Sequence, residues 1–370
     1  MHSKKALKGR LSSFTFGAAS LFVAVPASAY ETTVGDTKVV VGGYIKFDAL
    51  VSRFSEGAVA GNSPARDFFL PGVTPVAPAM GSGVERTYVD FHAKETRVYV
   101  STDSTIDGNK VGLHIEADFL SNPGNNPGAG DERLANSYTF ALRRAFVTFN
   151  NFTFGQDWSS FQNLAAVPET LNFVPWPSEG TVFSRQALVR YTLGGLDLSL
   201  ENPLTNITTA MGTRIVSDES LAPDAVLRYR FKLGSAKLSA AGIVRQLRSD
   251  GNDGDTTSNS GVDDTAIGFG MSFAGTIPFE KDDIRFTVTA GEGLGRYVAL
   301  NAVNEVQIDG DEIDPITTLN GFVAYRHVWT EQWRSTATLS AFEANHDVAL
   351  TGGGVTKSLQ SASINLLYSP

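Results

Sequence analysis

The chain has 370 residues, with 30 Lys and Arg against 39 Asp and Glu, for a formal charge of −9. That acidic balance argues against a nucleic-acid binder, and the lack of any cysteine excludes a disulfide framework or a thiolate metal site. Beyond residue 29 no apolar run reaches the roughly 18 residues of a spanning helix, which excludes an inner-membrane helix bundle.

The chain opens on a secretory signal peptide, residues 1–29. Lys4, Lys5, Lys8 and Arg10 form its positive start, Phe14 to Val25 its apolar core, and Ala27-Ser28-Ala29 its cleavage site. The competing reading, a membrane anchor, meets the difficulty that the apolar part is too short to span. Removing 29 of the 370 residues leaves 341, and loss of those four cations takes the formal charge from −9 to −13. Residues 30–38 are then a short periplasmic N-terminal segment. No linker-like shift of composition divides residues 39–370, which are expected to form one unit.

The first strand is the clearest, over 39–52. Val41, Gly43, Ile45, Phe47, Ala49 and Val51 make one uncharged face, and Val40, Gly42, Tyr44, Lys46, Asp48, Leu50 and Ser52 make the other. A period of two over a dozen residues predicts a strand, and a tilted strand of that length can cross an outer membrane. Further strands are predicted over 88–102, 110–120, 138–149, 152–158, 183–193, 195–202, 224–233, 236–247, 265–275, 283–292, 318–329, 332–343 and 358–368. In 111–119, Val111, Leu113, Ile115, Ala117 and Phe119 alternate with Gly112, His114, Glu116 and Asp118. In 225–232, Ala225, Leu227, Tyr229 and Phe231 face away from Arg228, Arg230 and Lys232.

The links between these fourteen stretches alternate short and long. Short ones such as Asn150-Asn151, Gly194-Gly195 and Gly234-Ser235 suit hairpins. The long ones cover 53–87, 121–137, 159–182, 203–223, 248–264, 293–317 and 344–357. This rhythm predicts an all-β fold, a transmembrane antiparallel β-barrel with periplasmic turns and extracellular loops. A soluble β-sandwich is the alternative, but it would need a second layer over each apolar face. The N-terminus is expected in the periplasm, and Trp329, Trp333, Tyr191 and Tyr368 at the periplasmic interface.

The inward register is predominantly basic. Lys46, Arg97, Arg190, Arg228, Arg230, Lys232, Arg245, Arg285 and Arg334 oppose Asp48, Glu116, Asp118, Asp197 and Glu201. One of Arg143 and Arg144 joins them, because consecutive strand residues face opposite ways. Excess acid sits in the outer loops, at Asp250, Asp253, Asp255, Asp263, Asp264, Asp309, Asp311, Glu312 and Asp314. These acids are read as solvated; they can also bridge lipopolysaccharide through cations. Rings of Arg and Lys in a narrow channel favour anions, and Arg pairs carboxylates bidentately. Small carboxylates are therefore the expected solutes, although some of these cations are expected to brace the lumen by pairing, Lys46 with Asp48 first. Lys46, Arg97, Arg228 and one of Arg143 and Arg144 are nearest mid-strand and are the expected constriction. The loop 159–182 holds Leu164-Ala165-Ala166-Val167, Leu171, Phe173-Val174 and Pro175-Trp176-Pro177, too apolar for a freely solvated loop. It is expected either to fold into the barrel, with Arg185 at its downstream end, or to meet a neighbouring subunit.

Gly42-Gly43-Tyr44-Ile45-Lys46-Phe47-Asp48, Arg143-Arg144-Ala145-Phe146 with Phe154-Gly155-Gln156-Asp157-Trp158, Arg185-Gln186 with Arg190-Tyr191, and Tyr325-Arg326-His327-Val328-Trp329 with Trp333-Arg334-Ser335 resemble the DcaP-like outer-membrane porins in content and order. The resemblance covers nearly the whole chain after residue 29. It implies a sixteen-stranded homotrimeric porin of a Gram-negative outer membrane, with a basic constriction. It also implies uptake of small anions, dicarboxylates and aromatic dicarboxylates among them. Two departures stand out. Only about eight residues precede the first strand, where some members carry a longer coiled-coil segment. The chain also stops at Leu366-Leu367-Tyr368-Ser369-Pro370, two strands short of sixteen and without the terminal aromatic that the barrel-assembly machinery reads. A C-terminally truncated sequence is expected.

No catalytic or cofactor motif emerges. His92, His114, His327 and His346 sit in no Ser/His pattern, and no HExxH, EF-hand or phosphate-loop motif occurs. His114 beside Glu116 reads as a polar lumen residue. A porin is thus expected rather than an enzyme, with a barrel phospholipase and a structural or adhesive surface protein as the alternatives.

Overall fold

The computed structural model describes residues 19–61, 63–76, 83–120, 138–172, 177–210, 212–251 and 260–370, with side chains from residue 29. His2, Lys4, Lys5, Lys8, Arg10 and Phe14 of the leader, Phe173, Val174, Pro175 and Trp176 of the apolar loop, and Asp253 and Asp255 lie outside the described residues.

Antiparallel strands form one continuous sheet. It begins with β1 (Ala19–Val34), β2 (Thr37–Phe54), β3 (Arg86–His92) continued by β4 (Arg97–Ile106), β5 (Asn109–Asp118), β6 (Ala141–Phe149), β7 (Phe152–Trp158), β8 (Arg185–Leu193) and β9 (Leu196–Glu201). Two short strands in a loop follow, β10 (Thr205–Thr208) and β11 (Arg214–Ser217). The wall resumes with β12 (Asp224–Leu233), β13 (Ala236–Asp250), β14 (Asp263–Phe279) and β15 (Asp282–Glu292). After the loop strands β16 (Val306–Asp309) and β17 (Glu312–Pro315) come β18 (Thr317–Val328), β19 (Trp333–Asn345) and β20 (Ser358–Ile364), continued by β21 (Leu367–Tyr368). Each wall strand pairs with its sequence neighbours in the wall, β9 meeting β12 directly. All fourteen expected strands are present, with β3–β4 and β20–β21 each forming one.

The wall is polar inside and apolar outside. On β2, Ile45 is 67% exposed, whereas Lys46 and Asp48 are 3% exposed. An apolar face left open costs about 25 cal/mol per Å² in water, and in lipid it costs nothing. The same polarity recurs on β5, β12, β14 and β19, where Ile115, Leu227, Met271 and Leu339 face outward.

The buried apolar core lies inside the curl of the sheet. Phe161 and Val182 from the loop after β7, with Leu294, Tyr297 and Val298 from the loop after β15, pack on Val226, Ile243 and Phe342 of the wall. A second cluster joins Ile207, Ile215, Val306 and Ile313 to Leu247 of β13. It belongs to a small sheet ordered β11-β10-β16-β17, with β10 and β16 parallel. The sequence pattern did not predict this sheet, because four-residue strands are too short to display a period.

β1 is the other difference from expectation. Ala19–Val34 covers the second half of the expected leader and the segment after it, and pairs along β2 from Ala19 opposite Val51 to Val34 opposite Thr37. The register shifts between Ala27 and Tyr30, at the expected cleavage site. An unpaired strand edge templates any extended apolar segment beside it, and Leu21 to Val25 is such a segment.

Candidate pore constriction

From the end of β7, the described parts of the loop between Ser159 and Ser184, residues 159–172 and 177–184, lie inside the wall, which holds them by backbone and side chain. Arg228 of β12 donates to the carbonyl of Gln162. Asn163 Nδ2 donates to Ser239 Oγ of β13 at 2.7 Å, and Thr276 Oγ1 of β14 donates to the Ala165 carbonyl at 2.7 Å. Arg285 Nη1 of β15 reaches the Val167 carbonyl at 2.5 Å. Arg334 of β19 grips Glu169 through two bonds of 2.7 and 2.6 Å. Lys46 of β2 donates to the Leu171 carbonyl at 3.3 Å. Further on, Glu179 accepts from Ser340 and Ser361. Gly180 lies so close to β18 that a Cβ there would stand 2.5 Å from the Gly321 oxygen. The described parts of the loop, residues 159–172 and 177–184, thus touch strands on both sides of the wall, the first of the two outcomes its apolar content left open.

Between this loop and β2, β4 and β6 is a cavity of about 320 Å³. Tyr44, Lys46, Glu95, Arg97, Arg143 and Trp158 face Gln162, Leu164, Val167, Leu171 and Phe183 across it. One side is charged and the other is apolar and amide-bearing.

Two irregularities of the wall aim charges at this cavity. Between Tyr44 opposite Arg97 and Asp48 opposite His92, three residues of β2 meet four of the other strand, Ala93 to Thr96. The extra residue turns Glu95 inward onto Lys46, which also lies 3.1 Å from Asp48. The second irregularity is in β6. Glu116 pairs with Arg144 and Ala117 with Leu142, so the cross-strand register skips Arg143. A bulge of this kind re-aims a side chain, and here both arginines point inward. Arg143 binds Glu116 and Asp118 at 2.7 Å each, while Arg144 binds Asp157 at 2.7 Å. Gln156 closes the bulge by donating to the carbonyls of Leu142 and Arg143 at 3.3 and 3.0 Å. The expectation that one of the pair points outward is therefore corrected: strict alternation fails at the inserted residue.

The remaining expected pore residues divide by partner. Arg97 lies 3.8 Å from Glu116 and 3.5 Å from Asp118, looser than Arg143 on the same carboxylates. Arg185 stacks its guanidinium 5.0 Å from the Trp158 ring and 5.9 Å from Phe183. Arg190 binds Asp157 at 2.5 Å. Arg228 and Arg230 share Asp197 at 2.9 and 3.2 Å, and Arg230 remains 46% exposed. Arg285 binds Asp283 at 2.8 Å. Arg228, placed by its mid-strand position among the constriction residues, instead ties the loop to the wall and does not line the cavity. Arg245 is the clearest correction. Its side chain has no exposure, and Asp224, Glu305 and the carbonyls of Gly293 and Leu204 enclose it. A register places a side chain inside the wall but does not say whether a loop then covers it.

Glu95, Trp158 and Phe183 were missed as site residues. The bulge that aims Glu95 has no sequence period, and the two aromatics belong to the loop's entry and exit. His114 is a lumen residue, bonded to Ser101 at 2.7 Å. Trp329, Trp333 and Tyr368 are exposed beside the turn between β18 and β19, and the Trp333 and Tyr368 rings are tilted by 41° with centres 4.8 Å apart.

No family model matches the chain, and no curated protein matches it. Among solved structures, the outer membrane channel DcaP of Acinetobacter baumannii aligns with a TM-score of 0.70 at 21% identity, over 93% of this chain and 90% of that one. Outer-membrane expressed OmpT of Vibrio cholerae aligns at 0.50 and 11% identity, over 92% and 84%. The chain therefore has the antiparallel β-wall fold of an outer-membrane channel, as its resemblance to the DcaP-like porins implied.

Proposed function

We propose that this chain is an outer-membrane porin through which small anionic solutes, carboxylates and dicarboxylates first, diffuse passively. The observation that carries this reading is Arg185. Among the described residues it has no carboxylate partner and no hydrogen-bond acceptor, and two aromatic rings hold it beside Trp158 of the cavity wall. Around it, Lys46, Arg97, Arg143, Arg144 and Arg190 are matched by Asp48, Glu95, Glu116, Asp118 and Asp157, so the unmatched charge is Arg185's own. A fixed cation in a narrow, low-dielectric passage raises the local concentration of anions, and a planar guanidinium suits a carboxylate. The fold shared with the DcaP channel supports the same reading.

The polarity of the wall and the fold shared with outer-membrane channels support a wider reading. The leader is removed after Ala29, the short turns lie in the periplasm, and lipid and lipopolysaccharide surround the apolar face. Assembly passes through the barrel-assembly machinery, and the working form is a homotrimer. Arg97, Arg143 and Arg185 make the constriction; Lys46, Arg144, Arg190 and Arg230 line the passage around and below it; Arg228, Arg245 and Arg285 hold the loops. The test is a planar-bilayer comparison of Arg185→Ala and Arg97→Ala with the unaltered protein. Each is expected to lower the chloride-to-potassium permeability ratio, Arg185→Ala the more. Unchanged ratios in both variants would remove these two residues from the constriction.

A further inference from the structure

The inward loop carries a carboxylate that the constriction does not use. Glu179 is 1% exposed and forms no ion pair among the described residues. Ser340 of β19 and Ser361 of β20 donate to its Oε1, and their two oxygens lie 2.9 Å apart. Asn320 Nδ2 of β18 donates to its backbone carbonyl at 3.3 Å. The turn that presents it is fixed, because Thr181 Oγ1 donates to the Pro177 carbonyl at 2.7 Å and Gly180 lies against Gly321. Glu179 is therefore held against the wall and away from bulk water.

The wall at this level offers oxygens and no charge. Phe322, Ser340 and Ser361 stand side by side in register on β18, β19 and β20. Further along the same strands, Arg326 and Arg334 are taken by Asp283 and Glu169. Glu179 Oε2 accepts no hydrogen bond among the described residues. Ser178 Oγ and Asn320 Oδ1 have no partner there either, although both residues are at most 2% exposed. Ser178 adjoins Glu179 in the chain, and the amide of Asn320 already touches the Glu179 backbone. A buried carboxylate is costly unless it is compensated. Protonation does not compensate it here, because an O–H on Oε2 would have no acceptor within reach among the described residues. A hard cation satisfies the carboxylate and draws on the lone pairs of the neutral oxygens together.

We propose that Glu179 Oε2, Ser178 Oγ and Asn320 Oδ1 hold one monovalent cation of the size of sodium, with Ser340 and Ser361 fixing the carboxylate. One carboxylate among neutral oxygens balances a single positive charge, whereas a divalent ion would leave charge buried. The ion locks the downstream end of the inward loop to β18, β19 and β20. Its role is structural, and it stands apart from which ions the passage prefers.

The test is urea unfolding of the full-length refolded protein at neutral pH, with sodium chloride exchanged for choline chloride at constant ionic strength. Raising sodium from about 1 to about 100 mM should lower the unfolding equilibrium constant about ten-fold, the mass-action effect of a site with a dissociation constant of about 10 mM. Glu179→Gln keeps the shape and an acceptor for both serines but removes the charge, and should abolish the effect. Ser178→Ala should raise the half-effective sodium concentration about ten-fold, and it carries the test if Glu179→Gln does not fold. The same unfolding constant in sodium and choline, a sodium effect unchanged by these substitutions, or stabilisation by calcium chloride but not by sodium would each overturn the proposal. None of these outcomes bears on the channel reading.

Discussion

Arg245 brings a permanent charge into a site closed to solvent, and its surroundings decide what it does there. It is the one cation within bonding reach of Glu305 among the described residues, and it shares Asp224 with Arg296. Replacement by Met leaves Glu305 buried without a cation, which is expected to cost about 3–5 kcal/mol. Denaturant unfolding of the refolded protein should show that loss, while ion selectivity stays unchanged. Arg228 and Arg285 act differently. Each neutralises one aspartate and holds one loop carbonyl, so alanine at either is expected to raise single-channel conductance and current noise with selectivity retained. A fall in anion preference in those variants would place them back in the constriction. None of this division was legible in the sequence. The register puts all three arginines inside the wall, but a backbone carbonyl that later meets a guanidinium leaves no mark on its residue type.

The strands were legible because one face meets lipid along their whole length, which keeps the period of two unbroken. It fails where an extra residue enters, and both failures fall at the candidate constriction: Glu95 is aimed by one bulge and Arg143 by the other. Gln156 supports the second, so Gln156→Leu is expected to loosen Arg143 and lower the anion preference while the barrel still folds. The four-residue strands β10, β11, β16 and β17 escaped notice for the opposite reason, having too few residues for any period. The outer face offers a sharper test at this scale. Met271 is central in β14 and 77% exposed. In water, Met271→Arg at so open a position would change stability by less than about 0.5 kcal/mol. Against lipid at mid-depth it is expected to cost about 2–4 kcal/mol, measurable by unfolding from lipid vesicles.

Taken whole, the molecule is an acidic protein that turns many of its cations inward. The expected leader bears on that shape, because β1 occupies the free edge of β2 and includes the expected cleavage site. Mass spectrometry of the exported protein is expected to find Tyr30 at its N-terminus, and a mature chain still carrying Ala19 to Ala29 would make β1 a true part of the wall. The central claim is that the passage between the wall and the inward loop prefers anions because Arg185, Arg97 and Arg143 outnumber the carboxylates that face them. Its most direct test is the zero-current potential of single channels across a KCl gradient. The account predicts a potential of the sign set by chloride, collapsing toward zero in Arg185→Ala. A potential of the potassium sign, or none at all, would contradict it.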